Sequence, residues 1–87
     1  GSKKLIEQYL TNLYTLDVPP SAIAKIEGVL IEMVFQMGRP RVSKFKKMFK
    51  ALNQGDFNTA ADEMMDSRWA DQTFERALNL SHIIRLL

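Results

Sequence analysis

Eighty-seven residues are enough for one small hydrophobic core and too few for two, and at 46% hydrophobic and 25% charged residues the chain is too apolar to be disordered. With no cysteine, disulfides, thiolate metal sites and cysteine nucleophiles are excluded together, and no apolar run approaches the roughly 18 residues of a membrane span. The net charge of +2 is small but segregated: Arg39, Arg41, Lys44, Lys46, Lys47 and Lys50 fall within residues 39–50 without an acid, whereas residues 56–75 hold six acids against Arg68 alone. No signal peptide is visible, and the opening Gly1-Ser2 reads as a cloning scar before a single domain over 3–87.

Taken in order, the chain predicts helices and nothing else. Leu5, Ile6, Tyr9, Leu10 and Leu13 recur at helical spacing. Pro19 and Pro20 in LDVPPS end that element, and Ser21 is placed to cap the next. Residues 23–37, IAKIEGVLIEMVFQM, are apolar nearly all round, the pattern of a buried helix. The central helix is therefore expected over about residues 22–37, with Gly38 as its stop. Val42, Phe45, Phe49 and Leu52 mark a third helix ending near Gly55. Phe57, Ala60, Ala61 and Met64 mark a fourth, with Asp56 or Asn58 near its start. Thr73 is placed to cap a last helix through Ala77, Leu80, Ile83, Ile84 and Leu87. Hairpin dipeptides and sustained alternation are absent, so the expected architecture is all-α, about five helices around the second. The expected core includes Ile26, Leu30, Met33, Val34, Phe45, Phe49, Leu52, Phe57, Trp69 and Ile83.

Few residues carry chemistry. His82, the single histidine, reads as a helix-surface or packed residue, because no partner stands at metal-ligand spacing; no metal or cofactor is expected. The five methionines fall at helical spacing and read as core filling. The basic run 39–50 is interleaved with Phe45, Met48 and Phe49, so it reads as the solvated face of a helix, with phosphate contact as the competing reading. The stretch DSRWADQTFERA holds the only tryptophan, Trp69, among Ser67, Arg68, Asp71, Gln72, Thr73 and Arg76 in a turn-like segment between helices. Composition leaves Trp69 open between core anchor and wall of a sugar or peptide cleft.

MVFQMG at residues 33–38, followed at the correct separation by SRWADQT and RA, resembles the C-terminal lobe of the T-even phage-type lysozymes, over about residues 3–87. These are endolysins, muramidases that hydrolyse the glycan strands of bacterial peptidoglycan. The resemblance implies that Gln36 and Met37 reach the saccharide cleft and that Trp69, Gln72, Thr73 and Arg76 form the turn beside it. Trp69 would mainly anchor that turn, and Arg76 would partner an acid. It also implies synthesis in the host cytoplasm and action at the cell wall after release.

The departures limit what is implied. The resembled family needs a Glu, an Asp nine residues later and a Thr six beyond. Nine positions after Glu7, Glu27, Glu32, Glu63 and Glu75 stand Leu16, Gln36, Arg41, Gln72 and Ile84. Glycoside hydrolysis requires an acid and a second carboxylate around the bond, so no catalytic residue is assigned; Glu32 and Asp71 are the carboxylates nearest the expected cleft. Phe74 stands where the family has proline, which should loosen the start of the last helix and set an aromatic ring at the surface. Lys3 to Leu10 align with the end of the connector between lobes, so the chain reads as an isolated lobe, excised or engineered. Peptidoglycan is then the expected partner, bound weakly; a membrane is not. A homodimer through Phe74, Leu5, Tyr9, Leu13 and Leu80–Leu87 stands against a monomer with residues 3–15 folded over the gap. The competing functional readings are a helical assembly module and a DNA-binding module using residues 39–50, with Gly38-Arg39-Pro40 as a weak helix-turn-helix junction.

Overall fold

The computed structural model describes residues 2–87, and the side chains of Lys4 and of residues 6–87. Among these residues the regular structure is helical throughout: α1 (Ser2–Tyr9), a 3-10 turn at Leu13–Thr15, α2 (Pro20–Met37), α3 (Arg39–Val42), α4 (Lys46–Asn53), α5 (Phe57–Met65), α6 (Arg68–Gln72) and α7 (Phe74–Arg85). The all-α expectation holds. Five of the helices have eight or more residues, and the two in excess of the expected five, α3 and α6, have four and five.

Both short helices come from local hydrogen bonding that periodicity does not register. The expected third helix is broken at residues 43–45. There the Lys44 and Phe45 amides donate to carbonyls three residues back, on Arg41 and Val42, and Ser43 Oγ donates to Pro40 O at 2.7 Å. A serine hydroxyl bonded to a nearby carbonyl competes with a continuous helical ladder. The segment expected as a turn around Trp69 is helix α6, because Ser67 Oγ accepts the Ala70 amide at 3.2 Å and caps it. Thr73 sits at the N-cap position of α7 but does not cap it; its Oγ1 donates to Trp69 O at 3.1 Å and closes α6 instead.

Three further boundaries differ. The first helix ends at Tyr9, ten residues before Pro19 rather than at the prolines, and Leu13 lies in the separate 3-10 turn. Ser21 lies inside α2 rather than capping it, since Pro20 occupies the first turn, where its missing N–H has no partner to lose. The last helix ends at Arg85, short of Leu87. Phe74 is its first residue.

The core is one continuous cluster. α2 contributes Ile26, Val29, Leu30 and Met33; α4 contributes Met48, Phe49, Ala51 and Leu52. α5 packs between α4 and α7, and α2 packs against α1, α3 and α7. Ile6, Leu10 and Leu13 seat α1 and the turn after it on this core. Asn53 ties them there, accepting the Leu13 amide at 3.0 Å and donating to Tyr9 O at 2.9 Å. Tyr9 also stacks on Phe49 at 4.9 Å between ring centroids.

The central helix is buried along one stripe, not all round: Phe35 is 83% exposed. Val34, Phe45 and Phe57 are half-buried, and Ile83 is exposed. The buried stripe of α7 is Ala77, Leu80, Ser81 and Ile84, positions i, i+3, i+4 and i+7, which puts Ile83 off the core face. Of the methionines, Met33, Met48 and Met64 are buried and Met37 and Met65 pack partly against the core. Among the expected dimer contacts, Phe74, Tyr9, Ile83 and Leu86 are at the surface, whereas Leu13, Leu80 and Ile84 are buried. The Leu5 side chain lies outside the described residues.

Candidate functional site

Gly38 positions the site. Its φ of 84° and ψ of 161° belong to a region open in practice to glycine alone, and this turn ends α2 and starts α3 at once. The end of α2 thereby faces α6 and the start of α7, and a cavity of about 700 Å³ opens between them. α2 lines it with Ile31, Glu32, Phe35, Gln36 and Met37, α3 with Arg41, and the second segment with Trp69, Gln72, Thr73 and Arg76. All six residues singled out from the sequence, Gln36, Met37, Trp69, Gln72, Thr73 and Arg76, are therefore neighbours around one space.

One hydrogen bond joins the two segments at its floor. Trp69 Nε1 donates to Gln36 Oε1 at 2.8 Å, across 33 positions of sequence. Indole N–H is a donor only, so the Gln36 amide must turn its oxygen to Trp69 and its NH2 away. That NH2 makes no hydrogen bond among the described residues and is left as a donor at the cavity. Trp69 itself is only 8% exposed and meets Phe45 edge to face at 6.4 Å and 86°. Its ring is a packed anchor with one edge at the cavity.

Arg76 reaches back across the cavity to Glu32, Nη1 to Oε1 at 3.4 Å, with both side chains exposed. An exposed pair at that separation is worth little in stability, and its effect is to fix a cation and an anion side by side at the cavity. Of the two carboxylates considered from sequence, Glu32 lines the cavity and Asp71 does not. Ile31, Phe35 and Arg41 are lining residues that sequence reasoning missed. The apolar surplus on α2 was the available signal: Ile31 and Phe35 stand one turn apart on a stripe separate from the core stripe.

The other candidates fall elsewhere. His82 is exposed on α7, and among the described residues no group of His, Asp or Glu is arranged to hold a metal ion. Arg39, Arg41, Lys44, Lys46, Lys47 and Lys50 are all exposed, while Met48 and Phe49 between them are buried, as a solvated basic face requires. The Gly38-Arg39-Pro40 junction leads into α3, whose four residues are too short to serve as a recognition helix. No described helix is long and apolar enough to cross a membrane.

Fold and site together describe an all-helical unit with an open, mixed polar and aromatic cavity between two segments, and part of its sequence is lysozyme-like. A stretch of 48 residues, 55% of the chain, is 46% identical to a protein of Dictyostelium discoideum described as probable T4-type lysozyme 2. The matched stretch spans 28% of that protein's length. No family model and no solved structure matches the chain.

Proposed function

We propose that this chain is the C-terminal helical lobe of a lysozyme of the T-even phage type, and that its cavity forms one wall of a cleft for peptidoglycan glycan strands. The observation that carries this reading is the convergence of Gln36 and Met37 with Trp69, Gln72, Thr73 and Arg76 on one cavity, from segments more than thirty residues apart. The partial lysozyme similarity supports it. Peptidoglycan glycan presents N-acetyl and hydroxyl groups on flat apolar sugar faces. The cavity offers the matching set: the Gln36 NH2, the Gln72 amide and the Arg76 guanidinium as donors, with Phe35, Met37 and the edge of Trp69 as apolar surface.

The lobe binds and does not cleave on its own. Hydrolysis of a glycosidic bond takes two carboxyl groups, one protonated to donate to the leaving oxygen and one ionised. Among the described residues the cavity holds one, Glu32, already paired with Arg76. A second lobe would have to bring the catalytic pair.

Titration with the neutral N-acetylglucosamine tetramer, read by amide and side-chain chemical shifts, tests this reading. The expected result is a Kd on the order of 1 mM, as suits one wall of a cleft, with shifts grouped on Gln36, Trp69, Gln72 and Arg76. Shifts absent up to saturating sugar, or grouped on α4 and α5, refute the assigned cleft. Clearing of isolated cell walls at the rate of a complete lysozyme refutes the claim that the chain is inactive alone.

A further inference from the structure

α2 carries a second apolar stripe that the described elements leave largely open. Its core stripe is Ile26, Val29, Leu30 and Met33. On the opposite side stand Ala24, Gly28, Ile31 and Phe35, at i, i+4, i+7 and i+11, the spacing of a seam that meets another helix. Ala24, Gly28 and Phe35 are exposed, Phe35 at 83%, and Ile31 is half-buried. Gly28 is out of place unless something approaches it. A glycine inside a helix costs stability, and this one has no positive φ to require it. Beyond its own turn of helix, nothing lies within 4 Å of the point that a Cβ on Gly28 would occupy, so the stripe has a notch open to solvent. One flank of the stripe holds Lys25 and Glu32, one heptad apart. Lys25 is exposed and takes part in no ion pair among the described residues, whose two pairs are Arg76–Glu32 and Arg85–Asp62. On the other flank Glu27 accepts the Tyr14 hydroxyl at 2.9 Å.

We infer that this face is the contact between two copies of the chain, their α2 helices antiparallel about a two-fold axis between Gly28 and Ile31. The stripe is complementary to itself in that arrangement. Phe35 of each copy stands opposite Ala24 of the other, and Ile31 opposite Gly28, so that a large side chain meets a small one at every layer. The notch at Gly28 lets the helix axes approach to about 8 Å, the close end of the usual range. Lys25 then lies about 3 Å along the axis from Glu32 of the other copy, on the same flank, so each cation meets an anion. A parallel pairing would set Phe35 against Phe35, leave a gap between glycines and bring Glu32 beside Glu27. Because Ile31, Glu32 and Phe35 also line the main cavity, the second copy stands at its rim, with Lys25 beside the Glu32–Arg76 pair. The inference concerns what covers α2 and does not depend on what the cavity binds.

Sedimentation equilibrium of the whole chain, from the low to the high micromolar range, tests this. The expected result is a monomer–dimer equilibrium with a Kd on the order of 10–100 µM, as suits a contact below the standard size of about 800 Å² per partner. Gly28→Gln fills the notch and should weaken the dimer by about tenfold or more. The same change should raise the thermal midpoint, because glutamine is the better helix former and its Cβ has open space, so a lost dimer cannot be put down to unfolding. Lys25→Glu should weaken the dimer about fivefold at low salt and less at high salt. In a mixture of isotope-labelled and unlabelled chains, an isotope-filtered NOE should link the Phe35 ring to the Ala24 methyl, which stand about 16 Å apart along one helix and touch only between copies. A mass fixed at one chain into the high micromolar range overturns the inference. So does a dimer that Gly28→Gln leaves intact, or one whose intermolecular contacts fall at Phe74 or on α4 in place of Phe35 and Ala24. Neither Ala24 nor Gly28 lines the main cavity, so loss of the dimer leaves the cleft reading to its own sugar titration.

Discussion

Truncating Trp69 to alanine removes the largest side chain that the helices share. A buried indole takes about 150–250 Å² out of water, worth about 4–6 kcal/mol at about 25 cal/mol per Å². The edge-to-face contact with Phe45 adds about 0.5–1.5 kcal/mol and the bond to Gln36 about 1 kcal/mol, while partial collapse of the site returns some of each. The net expected cost is about 3–5 kcal/mol. An 87-residue domain has a total stability of about 4–13 kcal/mol, so the variant stands near the edge of folding. Trp69→Phe separates the terms: it keeps an aromatic ring, loses the N–H donor, and frees the exposed Gln36 amide to bond water, for a cost of about 1–2 kcal/mol. Urea unfolding followed by circular dichroism is the assay, since the variants lack the only tryptophan and its fluorescence. A cooperative transition for Trp69→Ala within about 1 kcal/mol of the parent, at unchanged slope, refutes the anchoring role. Ligand contact would then be left as the reason for the indole.

Three other outcomes are expected. Asn53→Ala leaves the Leu13 amide and the Tyr9 carbonyl without their partner, so it should cost about 1–3 kcal/mol and speed hydrogen exchange at Leu13; unchanged exchange there would show that α1 is held by apolar packing alone. The Tyr14 phenol is pushed up to about 12 from 10.0, by partial burial first and then by its hydrogen bond to Glu27 and the charges of Glu27 and Glu7. The folded state thus favours the neutral phenol, so this contribution is complete below about pH 10 and is lost as pH rises through about 12. In an ultraviolet titration Glu27→Gln should lower the Tyr14 midpoint only part of the way, because burial remains; a midpoint unmoved by the substitution would sever the link to Glu27. Phe74 is 57% exposed at the first position of α7, where proline fits, so Phe74→Pro should raise stability in urea unfolding by about 0.4–1 kcal/mol and leave self-association through α2 unchanged in sedimentation. A mass fixed at one chain into the high micromolar range for both forms removes the homodimer expectation.

Helical spacing, the proline pair and the glycine stop were enough to place the five long helices to within a few residues, because each has a stripe long enough to show its period. Ile26, Leu30 and Met33 could be assigned to the core for the same reason: a residue three or four places from its neighbours on an apolar stripe has one side on which to be buried. The short helices α3 and α6 were not legible. Four or five residues make barely one turn, and what sets them is a serine hydroxyl at Ser43 or Ser67 choosing one backbone partner over another. The six site residues were reached through two motifs resembling a known family; composition alone left Trp69 undecided between core and cleft. Only the tertiary structure joined the motifs, through the Trp69–Gln36 hydrogen bond, and only it brought Ile31, Phe35 and Arg41 to the same space. Those three depend on how the chain turns at Gly38 and at residues 43–45, and on which side of α2 the other helices leave open. A periodic pattern says that a helix has an apolar face, but which apolar residues are covered is decided by the partners that arrive. For Phe35, among the described residues, none does.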